Sequence, residues 1–219
     1  VDETWPLHVH LSEQTAENEA CLAAYGVTPT RLLDDAGALS PRTSAVHATH
    51  LSGDDVVRLG RSSTYSCFCP TTEPDLADGI GPASALRAAG SPLTLGSDQH
   101  AVIDLLEEAR ALEMHERLVS HQRGTFAPHE LVDALTATGH RSLGWDDVGR
   151  IPPGMRADLV ALRTAGSLPE QVLLSAYASD VDTVVVDGRV VVSAGRHARY
   201  DVPSELDRSI TALWSHVAR

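Results

Sequence analysis

The stretch that decides the fold is His8-Val9-His10-Leu11-Ser12-Glu13-Gln14, which closes a short apolar run. On a β-strand His8 and His10 point to the same face, and Glu13 lies just beyond the carboxyl end of the strand. Active sites of parallel α/β sheets form at that end. Imidazole binds divalent metals, and a neighbouring carboxylate can transfer protons. The stretch therefore indicates a strand that leads into a site, although two histidines at this spacing are a weak signal by themselves.

Two later segments repeat this arrangement. The apolar run at residues 44–48 carries His47 at its end and is followed by His50, and the run at residues 92–95 ends in Gly96-Ser97-Asp98. Taken singly, either histidine could be a structural residue that donates to a backbone carbonyl, and Asp98 could be a turn residue. The recurrence of His, Glu or Asp after three strand-like runs favours a shared site at one edge of a sheet.

Helix-like stretches separate these runs, which predicts βα units and a parallel sheet. We expect helices at residues 15–25, 52–59, 82–89, 105–118, 128–138 and 203–217, with a long loop at 70–82. Glutamates in the 105–118 helix are expected to form a solvated face. From residue 148 the elements shorten, and strands are expected at 157–162, 183–186 and 189–192, the last two joined by a hairpin turn at Asp187-Gly188.

Composition restricts the function classes. The chain has 219 residues, with 30 acidic and 17 basic side chains and a net charge of −13, which disfavours a nucleic-acid partner. No apolar run approaches the roughly 20 residues that span a bilayer, and the first residues lack the pattern of a signal peptide. Three cysteines fit a reducing compartment. We expect a cytoplasmic protein with no nucleic-acid or membrane partner.

Together, these segments resemble strands five, six and eight of the metal-dependent amidohydrolase superfamily, in the branch that deaminates small molecules. The segment at residues 69–80, CPTTEPDLADGI, resembles the strand-seven loop of formimidoylglutamate deiminases. Guanine and S-adenosylhomocysteine deaminases are similar but usually carry Ser-Asn where this chain has Thr72-Glu73. Residues 148–162 and 184–192 are similar to the returning strands of the superfamily's β-sandwich.

The resemblance implies an α/β fold. Residues 1–147 would form the C-terminal half of a metal-dependent (β/α)8 TIM-like barrel, with strands five to eight. Residues 148–202 would be part of a small β-sandwich domain, and residues 203–219 a C-terminal helix. The superfamily begins its barrel with a His-x-His pair on strand one, and nothing ahead of His8 matches it. We therefore expect the chain to be a portion of an enzyme of about twice its size.

The resemblance also implies roles for individual residues. His10 and Asp98 would bind one divalent metal ion, either zinc or iron. Glu13 would be the proton shuttle, His47 would hydrogen-bond the reacting water or the developing tetrahedral centre, and Asp98 would help to deprotonate that water. His8, on the same face as His10 but deeper in the barrel, would be a structural residue or would support the metal ligands. The loop that carries Thr72 and Glu73 would contact the substrate.

The activity that follows from the resemblance is hydrolysis of N-formimidoyl-L-glutamate to N-formyl-L-glutamate and ammonia. Two alternatives stay open. One is deamination of guanine, S-adenosylhomocysteine or a related amidine, and the other is a non-catalytic half-barrel that binds a partner. A half-barrel would expose unpaired strand edges, so we expect a homodimer.

Overall fold

Four parallel strands form the first sheet, and they lie side by side in chain order. In the computed structural model, which describes residues 5–99, 101–164 and 168–217, the strands are β1 (Leu7–Leu11), β2 (Thr43–His47), β3 (Tyr65–Phe68) and β4 (Leu93–Leu95). Short apolar runs of this length are typical of strands in a parallel sheet, which is covered by helices. The predicted βα sheet is confirmed, and the carboxyl ends of all four strands lie at one edge.

Helices connect and follow these strands. They are α1 (Thr15–Tyr25), α2 (Pro29–Asp35), α3 (Gly53–Arg61), α4 (Thr72–Asp75), α5 (Ala83–Ala89), α6 (Leu105–Ser120), α7 (Pro128–Leu135) and α8 (Ala137–Ser142). Gly26 ends α1 at a φ of 72°, a left-handed conformation that glycine adopts without strain. Ser52 caps α3 by accepting from the Asp55 amide, while Asp55 accepts from the Ser52 amide.

The core lies between the sheet and the helices that pack on its outer face. Leu11, Ala45, Leu59, Phe68 and Leu86 are among its buried members. Helices α3 and α5 pack so closely that a Cβ built on Gly60 would lie 2.2 Å from the carbonyl oxygen of Ala89. This contact requires glycine at position 60 and fixes the spacing of the two helices.

A second, antiparallel sheet follows. It contains β5 (Leu159–Leu162), β6 (Val181–Val186), β7 (Arg189–Ser193) and β8 (Arg196–His197), in that order. Asp187 and Gly188 join β6 to β7 with φ values of 49° and 74°, which confirms the predicted hairpin turn. Helix α9 (Pro169–Ser175) lies between β5 and β6, and α10 (Val202–Val217) follows the sheet. The division of the chain at residue 148 stays a prediction. No helix in the described ranges is long and apolar enough to cross a membrane.

Several local predictions were wrong. Helices α2 and α9 and strand β8 were not predicted, and the expected loop at 70–82 contains α4. The helix expected at 128–138 breaks at Thr136, whose φ and ψ of −121° and −98° lie outside the helical region. The Thr136 hydroxyl donates to the Val132 carbonyl at 2.6 Å, a local bond of the kind that bends helices.

The expected solvated face of α6 was also wrong, because three of its glutamates are buried. Glu108 accepts from the amide and hydroxyl of Thr71, Glu116 accepts from the Ser84 amide, and Glu113 accepts from the amides of Gly124 and Phe126. The carboxylates thus satisfy backbone donors of two loops and of the first turn of α5, all of which pack on α6. A helical pattern of charged residues does not distinguish this role from exposure to water.

We expect Glu113→Gln to lower the free energy of unfolding by about 1–3 kcal/mol at pH 7, because one amide oxygen cannot replace two carboxylate oxygens. Burial alone would raise the pKa of Glu113, but the amides of Phe126 and Gly124 and the Arg117 guanidinium hold it below its ordinary value of 4.5. The ionised form is therefore stabilised by folding, and this contribution is lost as the pH falls below about 4.5. Urea unfolding at pH 7 and at pH 4 measures the difference.

The control for this variant is Glu19→Gln, on the exposed part of α1. It should change the unfolding free energy by less than about 0.5 kcal/mol. Equal effects of the two variants would show that the buried contacts of Glu113 do not contribute to stability.

Candidate active site at the carboxyl edge of the sheet

Four side chains from three strand ends converge at the carboxyl edge of the parallel sheet. His10 lies on β1 and Glu13 just after it, His47 ends β2, and Asp98 follows β4. Non-glycine residues with positive φ cluster at these positions: Ser12 at 51°, His47 at 67° and Asp98 at 41°. Such conformations are costly and concentrate at functional sites, where the surrounding structure holds them.

The side chains lie within contact distance of one another. His10 Nε2 lies 3.8 Å from Asp98 Oδ1, and His47 Nε2 lies 3.6 Å from Glu13 Oε1 and 3.8 Å from Asp98 Oδ2. The two imidazole rings are 5.1 Å apart between centroids. His47 is fully buried, whereas the side chain of His10 is 61% exposed and that of Asp98 24% exposed. The group therefore has one buried side and one open side.

The turn that carries Glu13 is held by a second carboxylate. Glu17, in the first turn of α1, accepts from the Ser12 amide at 3.0 Å and from the Glu13 amide at 3.1 Å. These bonds satisfy amides near the helix start and fix the backbone of Glu13. The position of the Glu13 carboxylate thus depends on a rigid turn rather than on a free loop.

Burial and charge shift the pKa values of two site residues. Burial raises the pKa of Glu13, and the neighbouring Asp78 and Asp98 carboxylates add to this against the opposing effect of His47. Burial lowers the pKa of His47, but the carboxylates of Glu73, Glu13 and Asp98 outweigh it, so that the pKa is raised. Both groups are therefore shifted toward holding a proton, which suits general acid-base chemistry.

The predicted substrate contacts, Thr72 and Glu73, lie beneath the open side of the site, and their contact with a substrate stays a prediction. Both side chains are fully buried, and Glu73 faces the inner side of His47, with Oε1 3.5 Å from His47 Nδ1. The Thr72 hydroxyl lies 3.4 Å from the Ser97 carbonyl oxygen, at the loop that leads to Asp98. The winding of α4 turns these residues inward, so their burial favours support of the site over direct contact with a ligand.

The remaining histidines of these segments have structural contacts. His50 Nε2 donates to the Asp78 carbonyl at 2.7 Å, and His8 Nε2 donates to the Ser142 carbonyl at 3.0 Å. The alternative of a structural histidine therefore holds for His50. It does not hold for His47, because neither of its ring nitrogens donates to a backbone carbonyl in the described part of the chain.

The donor set fits a divalent metal ion. Ligand atoms of His10, Glu13 and His47 all lie within 4.8 Å of one another. Two atoms that each lie about 2.0–2.2 Å from one zinc ion can be at most about 4.4 Å apart, and the 3.8 Å between His10 Nε2 and Asp98 Oδ1 meets this limit. The buried, unpartnered Nε2 of His47 faces the same space. By distance, His10, Glu13, His47 and Asp98 each offer an atom that could hold a metal on this side of the sheet, and the assignment of His10 and Asp98 as the ligands stays a prediction.

A parallel βα sheet with imidazole and carboxylate groups at its carboxyl edge is the arrangement found in metal-dependent α/β hydrolases. The family follows from a comparison with protein-family models, in which residues 2–191 match the amidohydrolase family. The chain belongs to the amidohydrolase family and has its α/β fold.

Several characterised deaminases are similar in sequence. An 8-oxoguanine deaminase of Pseudomonas aeruginosa is 37% identical over 97% of this chain and 49% of its own length. A formimidoylglutamate deiminase of the same organism is 34% identical over 88% of this chain and 46% of its own length. A 5-methylthioadenosine/S-adenosylhomocysteine deaminase of Pelotomaculum thermopropionicum is 34% identical over 85% and 45%. The chain thus spans about half the length of these relatives.

Solved structures agree with the family. An amidohydrolase from Brucella melitensis superposes with a TM-score of 0.87 at 28% identity, over 99% of this chain and 50% of its own. An adenosine deaminase from Xanthomonas campestris with bound zinc also has a TM-score of 0.87, at 25% identity, over 94% of this chain and 49% of its own.

Proposed function

We propose that this chain is the C-terminal half of a metal-dependent hydrolase that converts N-formimidoyl-L-glutamate to N-formyl-L-glutamate and ammonia. The observation that carries the proposal is the convergence of His10, Glu13, His47 and Asp98 at one sheet edge. Membership of the amidohydrolase family and similarity to deaminases support hydrolysis at a carbon-nitrogen bond. The loop that carries Thr72 and Glu73 resembles the strand-seven loop of formimidoylglutamate deiminases, and this resemblance favours the formimidoyl substrate.

The proposed reaction adds water to the formimidoyl carbon and breaks its bond to the imino nitrogen. A divalent metal, zinc or iron, held by His10 and Asp98 would supply Lewis acidity that makes hydroxide available near neutral pH. Asp98 orients the attacking water and accepts its proton. Glu13, whose pKa is raised, passes two protons to the imino nitrogen: the one taken by Asp98 and the one released by the hydroxyl of the tetrahedral carbon as its C=O bond forms. The carbon-nitrogen bond then breaks, and the nitrogen leaves as ammonia. His47 stabilises the charge that develops at the tetrahedral carbon.

We also propose that a further set of βα units closes the first sheet into a barrel. Among the described residues, β1 pairs only with β2 and β4 only with β3, so each presents an open edge. Unpaired edges bind other strands. The missing units would come from further polypeptide, in accord with the half-length match to relatives, or from a second copy in a homodimer. They would also contribute additional metal ligands, since a catalytic zinc site has three or more protein ligands.

A purine deaminase is the second candidate. The 8-oxoguanine deaminase is as similar to this chain as the formimidoylglutamate deiminase is, with identities of 37% and 34%. Both substrates are amidine-like at the reacting carbon, so the four site residues serve either reaction. The side chains that bind the rest of the substrate decide between them.

Ammonia release by the native protein tests the proposed substrate. N-formimidoyl-L-glutamate, 8-oxoguanine, guanine and S-adenosylhomocysteine are compared at equal concentrations with added zinc or iron. We expect kcat/KM for N-formimidoyl-L-glutamate to exceed the others by at least about 100-fold, because a site built for one polar substrate leaves buried groups unpaired with another. Faster turnover of a purine would contradict the formimidoyl substrate and identify that purine as the substrate. No ammonia from any of the four, from a protein that holds the further βα units, would favour a non-catalytic binding module.

A further inference from the structure

We propose that Glu73 is a positioning residue for His47. Its carboxylate accepts the Nδ1 hydrogen of the imidazole and thereby directs Nε2 toward Glu13 and Asp98. The inference deepens the proposed function and rests on it for its kinetic consequence. It replaces direct substrate contact by Glu73 with an action through the ring of His47.

The burial of Glu73 requires a partner for its charge. The side chain is 1% exposed, and its Oε1 accepts the Cys69 amide hydrogen at 2.8 Å. Among the residues that the structure describes, His47 is the one basic side chain within 4 Å of this carboxylate. An isolated buried carboxylate is costly, and a nearby imidazole hydrogen reduces that cost. The buried charge of Glu73 therefore favours the form of His47 that carries its hydrogen on Nδ1, the nitrogen that faces Glu73.

The ring of His47 has two distinct sides. Nδ1 lies 3.5 Å from Glu73 Oε1, on the protein side, and Nε2 lies 3.6 Å from Glu13 Oε1, on the site side. The distance to Glu73 is longer than a well-formed hydrogen bond, so the proposal includes a rotation of the ring that brings Nδ1 closer to Glu73. The hydrogen bond made by one ring nitrogen sets the protonation of the other. A hydrogen on Nδ1 leaves Nε2 available to the reacting groups.

Nitrogen-15 spectroscopy of the histidine rings tests this assignment without any substrate. In the native protein we expect His47 Nδ1 to carry a hydrogen. In Glu73→Met, which removes the acceptor, the Nδ1-protonated form should lose its dominance. In Glu73→Gln, which restores an acceptor oxygen, that form should return.

The matched control is Glu108→Met. Glu108 is also fully buried and also accepts a backbone amide hydrogen of the same loop, from Thr71. Its hydrogen-bond partners do not include His47. The Glu108→Met variant should leave the His47 signal unchanged. An Nδ1 without hydrogen in the native protein, or an equal change in Glu108→Met and Glu73→Met, would overturn the proposal. The native measurement decides even where a variant fails to fold.

The kinetic arm applies once a substrate is established. We expect Glu73→Met to lower kcat by about 10–100-fold, as loss of a residue that orients an active-site histidine does. KM should stay within about threefold, because a residue that acts only through His47 does not contribute to ground-state binding. A raised KM with unchanged kcat and an unchanged His47 signal would instead show that Glu73 contacts the substrate. Absence of turnover in the native protein would count against the proposed function, while the spectroscopic result would still decide the role of Glu73.

Discussion

Replacing Asp98 with Asn should release most of the bound metal and lower the rate of ammonia release by about 10²–10⁴-fold, the range for loss of a proton-transfer group. Asp98 Oδ1 faces His10 Nε2 at 3.8 Å and Oδ2 faces His47 Nε2 at the same distance. In the proposed reaction this one carboxylate would serve both the metal and the reacting water. An amide is a weaker ligand and a poor base. Metal content by mass spectrometry and ammonia release measure the two effects.

Asp75→Asn is the matched control for this variant. Asp75 lies on α4, and its carboxylate accepts from the Gln99 side chain instead of facing His10. This variant should retain metal and activity. Full metal content and full turnover in Asp98→Asn would remove Asp98 from the site. His10→Ala should also lose metal, because it removes the other proposed ligand.

Replacing Glu13 with Gln should lower turnover by about 10²–10⁴-fold while the metal is retained. Glu13 lies 3.6 Å from His47 Nε2, and its raised pKa suits it to carry a proton to the departing nitrogen. Glutamine has the same shape but carries no transferable proton. The comparison of kcat with metal content therefore separates proton transfer from metal binding.

Glu19→Gln, at an exposed position on the helix that follows Glu13, controls for a general effect of lost charge. It should behave as the unchanged protein. Turnover of Glu13→Gln within a factor of about two of the unchanged protein would contradict a role in proton transfer. Metal loss in parallel with activity would instead make Glu13 a ligand.

The strand ends could be predicted from the sequence because they depend on local pattern. Short apolar runs became β1, β2 and β4, and the groups at the carboxyl ends of these strands met at one edge because the strands are parallel. The convergence of His10, His47 and Asp98 followed from that topology without knowledge of any contact. Resemblance to a known family then gave each residue an expected role.

The residues that lie against the inner side of His47 could not be predicted, because their position depends on how a loop folds back. Glu73 and Thr72 lie in a stretch rich in Pro, Thr and Asp that has no hydrophobic period, and only the turn of α4 places them inside. The buried glutamates of α6 were missed for a similar reason. Glu113 satisfies the amides of residues 11 and 13 positions later, a relation that helical periodicity does not contain.

Anomalous diffraction at the zinc and iron edges, on crystals of the native protein, tests the central claim most directly. We predict one strong peak within bonding distance of both His10 Nε2 and the Asp98 carboxylate, at the carboxyl edge of the parallel sheet. A native protein that is fully active without such a peak, or a metal bound only elsewhere, would contradict it.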